Sequence, residues 1–471
     1  MTRITHRLSE FVAVLSYDTL PEAVPERTKL LVLDLVGIAL RARYEAESTP
    51  SLFRAVERLG LGRGEATVIG EAAGFAPPAA ALLNGALAQS LDFDATHASG
   101  SIHASAPIVP AALAAAEMTG AGGRAVITAI VAGYEVQIRL SQALVPKAHY
   151  ERGYHPTATC GAFGAAAAAA SVFGLSADQV GDAFGICLSQ AAGSLQFVAN
   201  GAWTKRFQVG YAALNGLIAA SLAREGFKGA AEAIEGKAGF LRSYAPDPVF
   251  EKAVEGLGEV FETLAIAVKP YPCCRYSHAA LDALIALRAA HGIEANDIES
   301  VEVGLPRTGW NIIGDPEDGK RHPKSVVDGQ FSMPFVAAVA LRQGSLGWDD
   351  YARHLDDPET LALCRRVSTV VDPRAEAEFP ANLSGVVRVR TTGGSFEEFV
   401  AVPRGEPETF PTVAELRAKF ADLAGPYLAP ERIDGLAEAV LALDEASDIA
   451  AVLGLARADR AGLREAAAGG P

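Results

Sequence analysis

The segment GAFGAAAAAASVFGL, residues 161–175, is dominated by alanine and glycine on every side. Alanine is the strongest helix former, and a helix without a polar face is normally buried all round. Small side chains also let neighbouring helices approach closely. Because the segment is too short and too rich in alanine to span a bilayer, it predicts the central helix of a helical core.

The chain on both sides of this segment continues the helical pattern. Residues 1–265 alternate stretches with apolar residues at helical spacing and short breaks that contain glycine or proline. From residue 266 the pattern changes, since IESVEVGLP at 298–306 and SGVVRVRTTGGSFEEFVAVP at 384–403 alternate as strands do. Within the second of these, TTGGS predicts the turn of a hairpin.

These patterns predict a mainly α fold that contains a smaller inserted α+β domain. We expect a large all-helical domain over residues 1–265, the α+β domain over 266–403, and returning helices of the first domain over 404–471. The last residues, REAAAGGP, are expected to fray.

Composition and charge restrict the classes of function. The chain of 471 residues carries 41 basic and 56 acidic side chains, a formal charge of −15, which argues against a nucleic-acid partner. The beginning, MTRITHRLSEF, lacks the apolar core of a secretory leader, so we expect a cytoplasmic protein without a membrane partner. The five cysteines lack the spacing that holds zinc or an iron–sulfur cluster, and no nucleotide-binding glycine loop is found, so we expect neither a cysteine-held metal site nor a nucleotide cofactor.

Histidines lie at the beginning of three predicted helices. His103 and His155 each precede one, and His278 follows a serine at the start of another. A helix start exposes unpaired N–H groups and a partial positive charge, so it attracts carboxylates, and a histidine beside it can transfer protons. The pattern therefore suits a small polyacid substrate, although a single histidine of this kind is more often structural.

Cations lie in two otherwise apolar segments. GAWTKRFQVGYAALNG contains Lys205 and Arg206, and KPYPCCRYSH contains Lys269 and Arg275. Such cations can clamp the carboxylates of a substrate. The alternative is a solvated pair on a loop. The adjacent cysteine pair is interpreted as packing, because it lacks the spacing of a nucleophile motif.

Successive blocks of the chain resemble the signature segments of the MmgE/PrpD family, in the order in which that family has them. The blocks are LDFDATH followed by HASAP, GYHPTATCGAFGAAAAAA, GAWTKRFQVGYAALNG, IAVKPYPCCRYSHAALD and HPKSVVDGQFSMPF. The resemblance extends from about residue 10 to about residue 450. The family includes iron–sulfur-independent 2-methylcitrate dehydratase, cis-aconitate decarboxylase and iminodisuccinate epimerase.

The resemblance implies that the α+β domain is a lid, that the chain is a homodimer, and that the active site lies between the domains without metal or organic cofactor. It implies pocket residues of acidic, hydroxyl, histidine and lysine type: Asp92, Thr96, His103, His155, Lys205 and His278. Two positions depart from the common pattern. Gln208 stands where many members carry a histidine, and Ala95 stands in place of the third aspartate of LDFDDT.

The activities of this family all pass through a species whose negative charge spreads into a carboxylate, so they need a base, an acid and fixed positive charge. We expect a lyase that acts on a small di- or tricarboxylate, foremost a 2-methylcitrate dehydratase-like hydro-lyase. Asp92 and one histidine would supply the base and its orientation, and His103 would handle the second proton. Lys205 and Arg275 would grip the carboxylates.

Three alternatives to the hydro-lyase stay open. One is a cofactor-free epimerase or isomerase of a dicarboxylate, as in iminodisuccinate epimerase, and another is a cis-aconitate decarboxylase. The third is a binding protein that has kept the fold without catalysis.

Overall fold

The structure is a computed structural model that describes residues 3–199 and 201–458, so the expected fraying at REAAAGGP lies outside the described residues. It is mainly α-helical with a few small sheets, which confirms the predicted fold class. The chain forms two compact units. The first takes the described residues of Met1–Val268 and Thr412–Pro471, and the second is Lys269–Pro411.

Helices make up most of the first unit. Before the chain enters the second unit they are α1 (Ile4–Val14), α2 (Ala23–Glu45), α3 (Thr49–Arg58), α4 (Pro77–Ser90), α5 (Ser105–Thr119), α6 (Gly123–Ala143), α7 (Pro146–Glu151), α8 (Pro156–Val172), α9 (Ala177–Leu188), α10 (Thr204–Arg224) and α11 (Phe240–Tyr244).

The alanine-rich segment forms most of α8, which is central in the first unit. Every residue from Pro156 to Ala170 is buried, and α8 packs against α5, α6, α9 and α10. A Cβ atom on Gly216 of α10 would lie 2.4 Å from the backbone nitrogen of Ala166, so these two helices approach almost backbone to backbone. The small side chains therefore set the spacing of the core helices.

Short strands connect segments of the first unit that are distant in sequence. Strands β1 (Ala66–Thr67) and β2 (Gly74–Phe75) are antiparallel, and β3 (Thr96–His97) is antiparallel to β4 (Ile266–Ala267). The second pair holds the motif LDFDATH, which ends in β3, against the last residues before the chain leaves the first unit.

The second unit contains a four-stranded sheet. Its strands are β5 (Ile298–Leu305), β6 (Val367–Val371), β7 (Gly385–Thr391) and β8 (Gly394–Val400), in the order β6-β5-β7-β8. β5 and β6 are parallel and the other pairs are antiparallel, so the predicted hairpin is present as β7 and β8.

Helices accompany this sheet. They are α12 (His278–His291), α13 (Arg307–Gly309), α14 (Glu317–Lys320), α15 (Val326–Gln330), α16 (Met333–Gln343), α17 (Asp350–His354), α18 (Pro358–Cys364) and α19 (Pro373–Glu378). α12 packs against β7 and β8, and α16 packs against α12 and α18.

The chain then returns to the first unit in three helices: α20 (Val413–Ala424), α21 (Pro430–Leu441) and α22 (Ile449–Gly454). α20 and α21 pack against α2, where Lys419 Nζ lies 2.6 Å from Oδ1 of the buried Asp34. Among the described residues, no helix has both the length and the apolar character that crossing a membrane requires.

Candidate active site

The segment that follows α4 places two aspartates in a constrained loop. Asp92 has φ 51°, in the left-handed region that Asp and Asn adopt more readily than most residues. Lys419 of α20 donates a hydrogen bond to the carbonyl of Phe93 at 3.3 Å, and its ammonium lies 3.6 Å from the centroid of the Phe93 ring. The unusual backbone at Asp92 is therefore held by its surroundings, as is common at functional sites.

Lys205 lies in the first turn of α10 and faces this loop. Its Nζ donates a hydrogen bond to Asp92 Oδ1 at 2.5 Å. Burial lowers the pKa of Lys205, but the charge of Asp92 and the hydrogen bond to it outweigh burial, so the net pKa lies above its ordinary value. Lys205 is therefore an ammonium at neutral pH and supplies fixed positive charge beside Asp92.

His103 lies between two carboxylates of the same loop. Its Nε2 is 3.9 Å from Asp92 Oδ1, and its Nδ1 is 3.1 Å from Oδ2 of the fully buried Asp94. Gln89 of α4 donates from Nε2 to Asp94 Oδ1 at 3.0 Å, and the same nitrogen lies 3.4 Å from His103 Nδ1. These contacts at Nδ1 orient the imidazole ring so that Nε2 faces Asp92.

The backbone of His103 is fixed to the start of α8. Its N–H donates to Thr157 Oγ1 at 3.1 Å. Gln137 of α6 donates from Nε2 to the carbonyl of Thr157 at 3.2 Å and to that of His103 at 3.4 Å. The loop before α5 and the beginning of α8 are therefore locked together by buried polar contacts.

His155 occupies the N-cap position of α8 and is almost fully buried. Its Nδ1 lies 2.7 Å from Nε2 of Gln208 on α10. Burial, with the nearby positive charge of Lys205, lowers the pKa of His155 well below its ordinary value. His155 is therefore neutral at physiological pH, unlike the lysine near it.

Asp92, Asp94 and His103 could also offer ligands to a metal ion. One ligand atom of each lies within 4.8 Å of the others, and no second group of this kind is found in the described part of the chain. Two carboxylates and an imidazole suit a divalent cation. However, the Lys205 ammonium already lies on Asp92 and compensates its charge.

The remaining predicted residues of the first unit lie close to this group in sequence. Arg206 donates from Nη1 to Ser48 Oγ at 3.1 Å, and burial lowers the pKa of its guanidinium. Thr96 is half-buried in β3, where it pairs with Ala267.

Lys269, Arg275 and His278 belong to the second unit. Lys269 is buried, and Arg275 donates from Nε to Glu406 Oε1 at 3.1 Å. His278 is the buried first residue of α12, and its Nε2 lies 3.4 Å from the carbonyl oxygen of Cys273. Arg275, predicted to clamp a substrate, thus has a carboxylate partner in its own unit.

The sequence patterns missed the polar residues that support the site. Asp94 stands two residues after Asp92 in the quoted motif, and that spacing was the available signal for a second carboxylate beside His103. Gln208 was noted as a departure from a family pattern, but its contact with His155 joins two helices and could not be derived from either segment alone.

His149 shows what a structural histidine looks like in this protein. Its Nδ1 donates to the carbonyl of Tyr244 at 3.1 Å, and its Nε2 accepts from the hydroxyl of Thr159 at 2.9 Å. Burial lowers its pKa to about 4. Both ring nitrogens are thus used by the fold.

Comparison with known proteins agrees with the resemblance of the blocks. The sequence matches the MmgE/PrpD N-terminal domain over residues 6–253 and the MmgE/PrpD C-terminal domain over residues 271–445. A cis-aconitate decarboxylase of Aspergillus terreus is 30% identical, with 96% of this chain and 95% of that protein aligned. The human cis-aconitate decarboxylase is 25% identical, with 94% and 92% aligned.

The cis-aconitate decarboxylase-like protein oryM of Aspergillus oryzae is 28% identical, with 96% of this chain and 97% of that protein aligned. These similarities extend over both compact units, and the two domain matches together span most of the chain. The protein therefore belongs to the MmgE/PrpD family.

Proposed function

We propose that this protein is a lyase that acts on a small tricarboxylate, and that its reaction is the decarboxylation of cis-aconitate or a close analogue. The observation that carries the proposal is the convergence of Asp92, His103 and Lys205 within contact distance. It is supported by the names of relatives that align over nearly the whole chain.

The chemistry of decarboxylation suits this group of side chains. In cis-aconitate one carboxylate is attached to a saturated carbon next to the double bond. When that bond breaks, carbon dioxide leaves, and the electron pair moves into an allylic system conjugated with a remaining carboxylate. A proton is then added at the far carbon of that system, which gives an unsaturated dicarboxylate one carbon shorter.

Each residue has a role in this sequence of steps. Lys205 holds the remaining carboxylates and stabilises the negative charge that develops on them. His103, oriented through Nδ1 by Asp94, delivers the proton from Nε2. Asp92 keeps Lys205 and His103 in position, and solvent returns to His103 the proton that each turnover consumes. That Lys269, Arg275 and His278 bind substrate carboxylates stays a prediction from the sequence and its family resemblance.

Dehydration of a 2-methylcitrate-like substrate is the second candidate. The observation that favours it is the carboxylate of Asp92, because a hydro-lyase must abstract a proton beside a carboxylate and a decarboxylase has no such step. In that reaction Asp92 is the base, and a histidine protonates the leaving hydroxyl group.

We further propose that two copies of the chain associate through an apolar patch on α10. Phe207, Tyr211 and Leu222 are exposed apolar residues of that helix. Near Leu222, the side chains of Ile218 and Met118 line an apolar groove. A surface of this kind on a single chain is typical of an interface, and a second copy is the occupant that the family resemblance implies.

Two assays with purified protein separate the candidate reactions. Release of carbon dioxide from cis-aconitate is followed by membrane-inlet mass spectrometry, and formation of an alkene from 2-methylcitrate is followed by ultraviolet absorbance. The proposal expects carbon dioxide release that depends on Lys205. Alkene formation without carbon dioxide release would favour the hydro-lyase, and no turnover of either acid would contradict the proposed lyase.

A further inference from the structure

The orientation of the Gln208 amide is determined by a backbone group. Gln208 is buried on α10, and its Oε1 lies 3.0 Å from the backbone nitrogen of Ser194. A backbone N–H can only donate a hydrogen bond, so the amide atom that faces it is the oxygen. Its nitrogen, Nε2, must therefore face the other way.

The segment that carries this N–H is itself fixed against His155. Tyr154 and Ser194 form an antiparallel bridge. The N–H of His155 donates to the carbonyl of Gly193 at 3.1 Å, and the N–H of Leu195 donates to that of Gly153 at 2.9 Å. The backbone donor and the histidine are thus held in one small ladder, and Gln208 bridges them.

The protonation of His155 follows from this bridge. Gln208 Nε2 lies 2.7 Å from His155 Nδ1, and an amide nitrogen can only donate. Nδ1 must therefore accept with its lone pair. In a neutral imidazole the proton then resides on Nε2.

The surroundings of His155 keep the ring neutral. The charged and titratable groups that influence it are Lys205, His103, Asp92 and His149. Burial is the largest influence and disfavours the imidazolium, and Lys205 acts in the same direction. A second proton on Nδ1 would also break the hydrogen bond from Gln208.

We propose that Gln208 is a positioning residue that holds His155 as the neutral Nε2–H tautomer, so that His155 acts as a hydrogen-bond donor to a substrate carboxylate and does not act as a base. The role of His155 as a hydrogen-bond donor to the substrate rests on the proposed function, whereas the inferred tautomer of His155 does not. His103, whose Nδ1 faces Asp94, is then the histidine of this group that exchanges protons through Nε2.

The tautomer can be measured directly by NMR. The chain contains nine histidines, and labelling them with 15N gives long-range proton–nitrogen correlations within each ring. His155→Gln assigns the signals of His155. The proposal expects an unprotonated Nδ1 and a protonated Nε2 for His155 at neutral pH. A protonated Nδ1 in the unmodified protein would overturn it.

Substitutions at Gln208 test whether this residue determines the tautomer of His155. In Gln208→Glu one carboxylate oxygen still accepts from Ser194, and the other can only accept from His155, so the proton should move to Nδ1. Gln208→Met should leave a mixture of both tautomers. Gln179→Glu makes the same chemical change in the capping box at the start of α9 and should leave His155 unchanged.

Steady-state kinetics test whether the tautomer of His155 contributes to substrate binding. With cis-aconitate, Gln208→Glu should raise KM about tenfold or more, because the donor to the carboxylate is lost, and kcat should fall less. If neither Gln208 variant alters the tautomer of His155, the inference is wrong. If the tautomer behaves as expected but no tricarboxylate is turned over, the inference stands and the proposed function fails.

Discussion

The ammonium of Lys205 lies 2.5 Å from the carboxylate of Asp92, at a residue whose backbone has a positive φ of 51°. The two residues come from different helices and loops, 113 positions apart in sequence. The pair of Lys205 and Asp92 therefore places a fixed positive charge directly beside a carboxylate. Both are needed for proton transfer on a substrate that carries several carboxylates.

Replacing Asp92 by asparagine should lower kcat/KM for the tricarboxylate by about a hundredfold or more. Asparagine also adopts positive φ readily, so the loop should keep its conformation and the loss should be chemical. Steady-state kinetics together with the circular dichroism spectrum test this. Asp178→Asn, at an exposed position, is the matched control, and equal losses in the two variants would refute a chemical role for Asp92.

Replacing Lys205 by methionine should lower kcat by about a hundredfold to a thousandfold, as does the loss of one donor to a developing oxyanion. Lys228→Met removes an exposed lysine that pairs with Asp182 at 3.0 Å and should change neither kcat nor KM. The raised pKa of Lys205 means that the pair with Asp92 should persist until the pH exceeds the ordinary range of lysine. Retained activity in Lys205→Met would exclude the proposed role.

His149 should make the fold sensitive to acid. Its pKa falls to about 4 in the folded protein, below that of an unfolded histidine, so the unfolded chain binds a proton first as the pH decreases. The contribution of neutral His149 to stability is complete above the pKa that this histidine has in the unfolded chain. It is lost as the pH falls toward the lower pKa of His149 in the folded protein. Between pH 7.5 and pH 5 this should cost about 2 kcal/mol of unfolding free energy.

His149→Gln lacks the titrating ring and should show a smaller loss over the same pH interval, even if its stability at neutral pH is lower. Urea unfolding followed by tryptophan fluorescence gives both values. Identical pH dependence in the two proteins would show that His149 does not contribute.

The apolar patch on α10 should mediate association. Tyr211→Glu introduces a charge into the patch and should convert a dimer into a monomer, which light scattering coupled to size-exclusion chromatography detects. Leu59→Glu changes an apolar residue that is 73% exposed elsewhere and should leave the dimer intact. A monomeric unmodified protein, or a dimer in both variants, would contradict this interface.

The fold could be predicted from the sequence where local pattern and packing agree. The alanine-rich segment forms the central helix α8 because only small side chains permit its neighbours to approach, as the contact of Gly216 with Ala166 demonstrates. The hairpin of β7 and β8 follows from alternation and a glycine turn.

The site was predictable only in part, because helix starts identify His103 and His155 but not their partners. The contacts of Asp94 and Gln208 with these rings depend on side-chain geometry between segments. Sequence periodicity carries no information on such contacts.

Proton NMR in deuterated water tests the central claim most directly. The protein, treated with EDTA, is incubated with cis-aconitate, 2-methylcitrate, citrate and iminodisuccinate in turn. We expect cis-aconitate to be replaced by an unsaturated dicarboxylate that has lost one carboxylate and gained one deuterium from the solvent, and we expect Lys205→Met to lack this reaction. An unchanged cis-aconitate spectrum, with alkene formation from 2-methylcitrate or deuterium exchange in iminodisuccinate alone, would contradict the proposed decarboxylation.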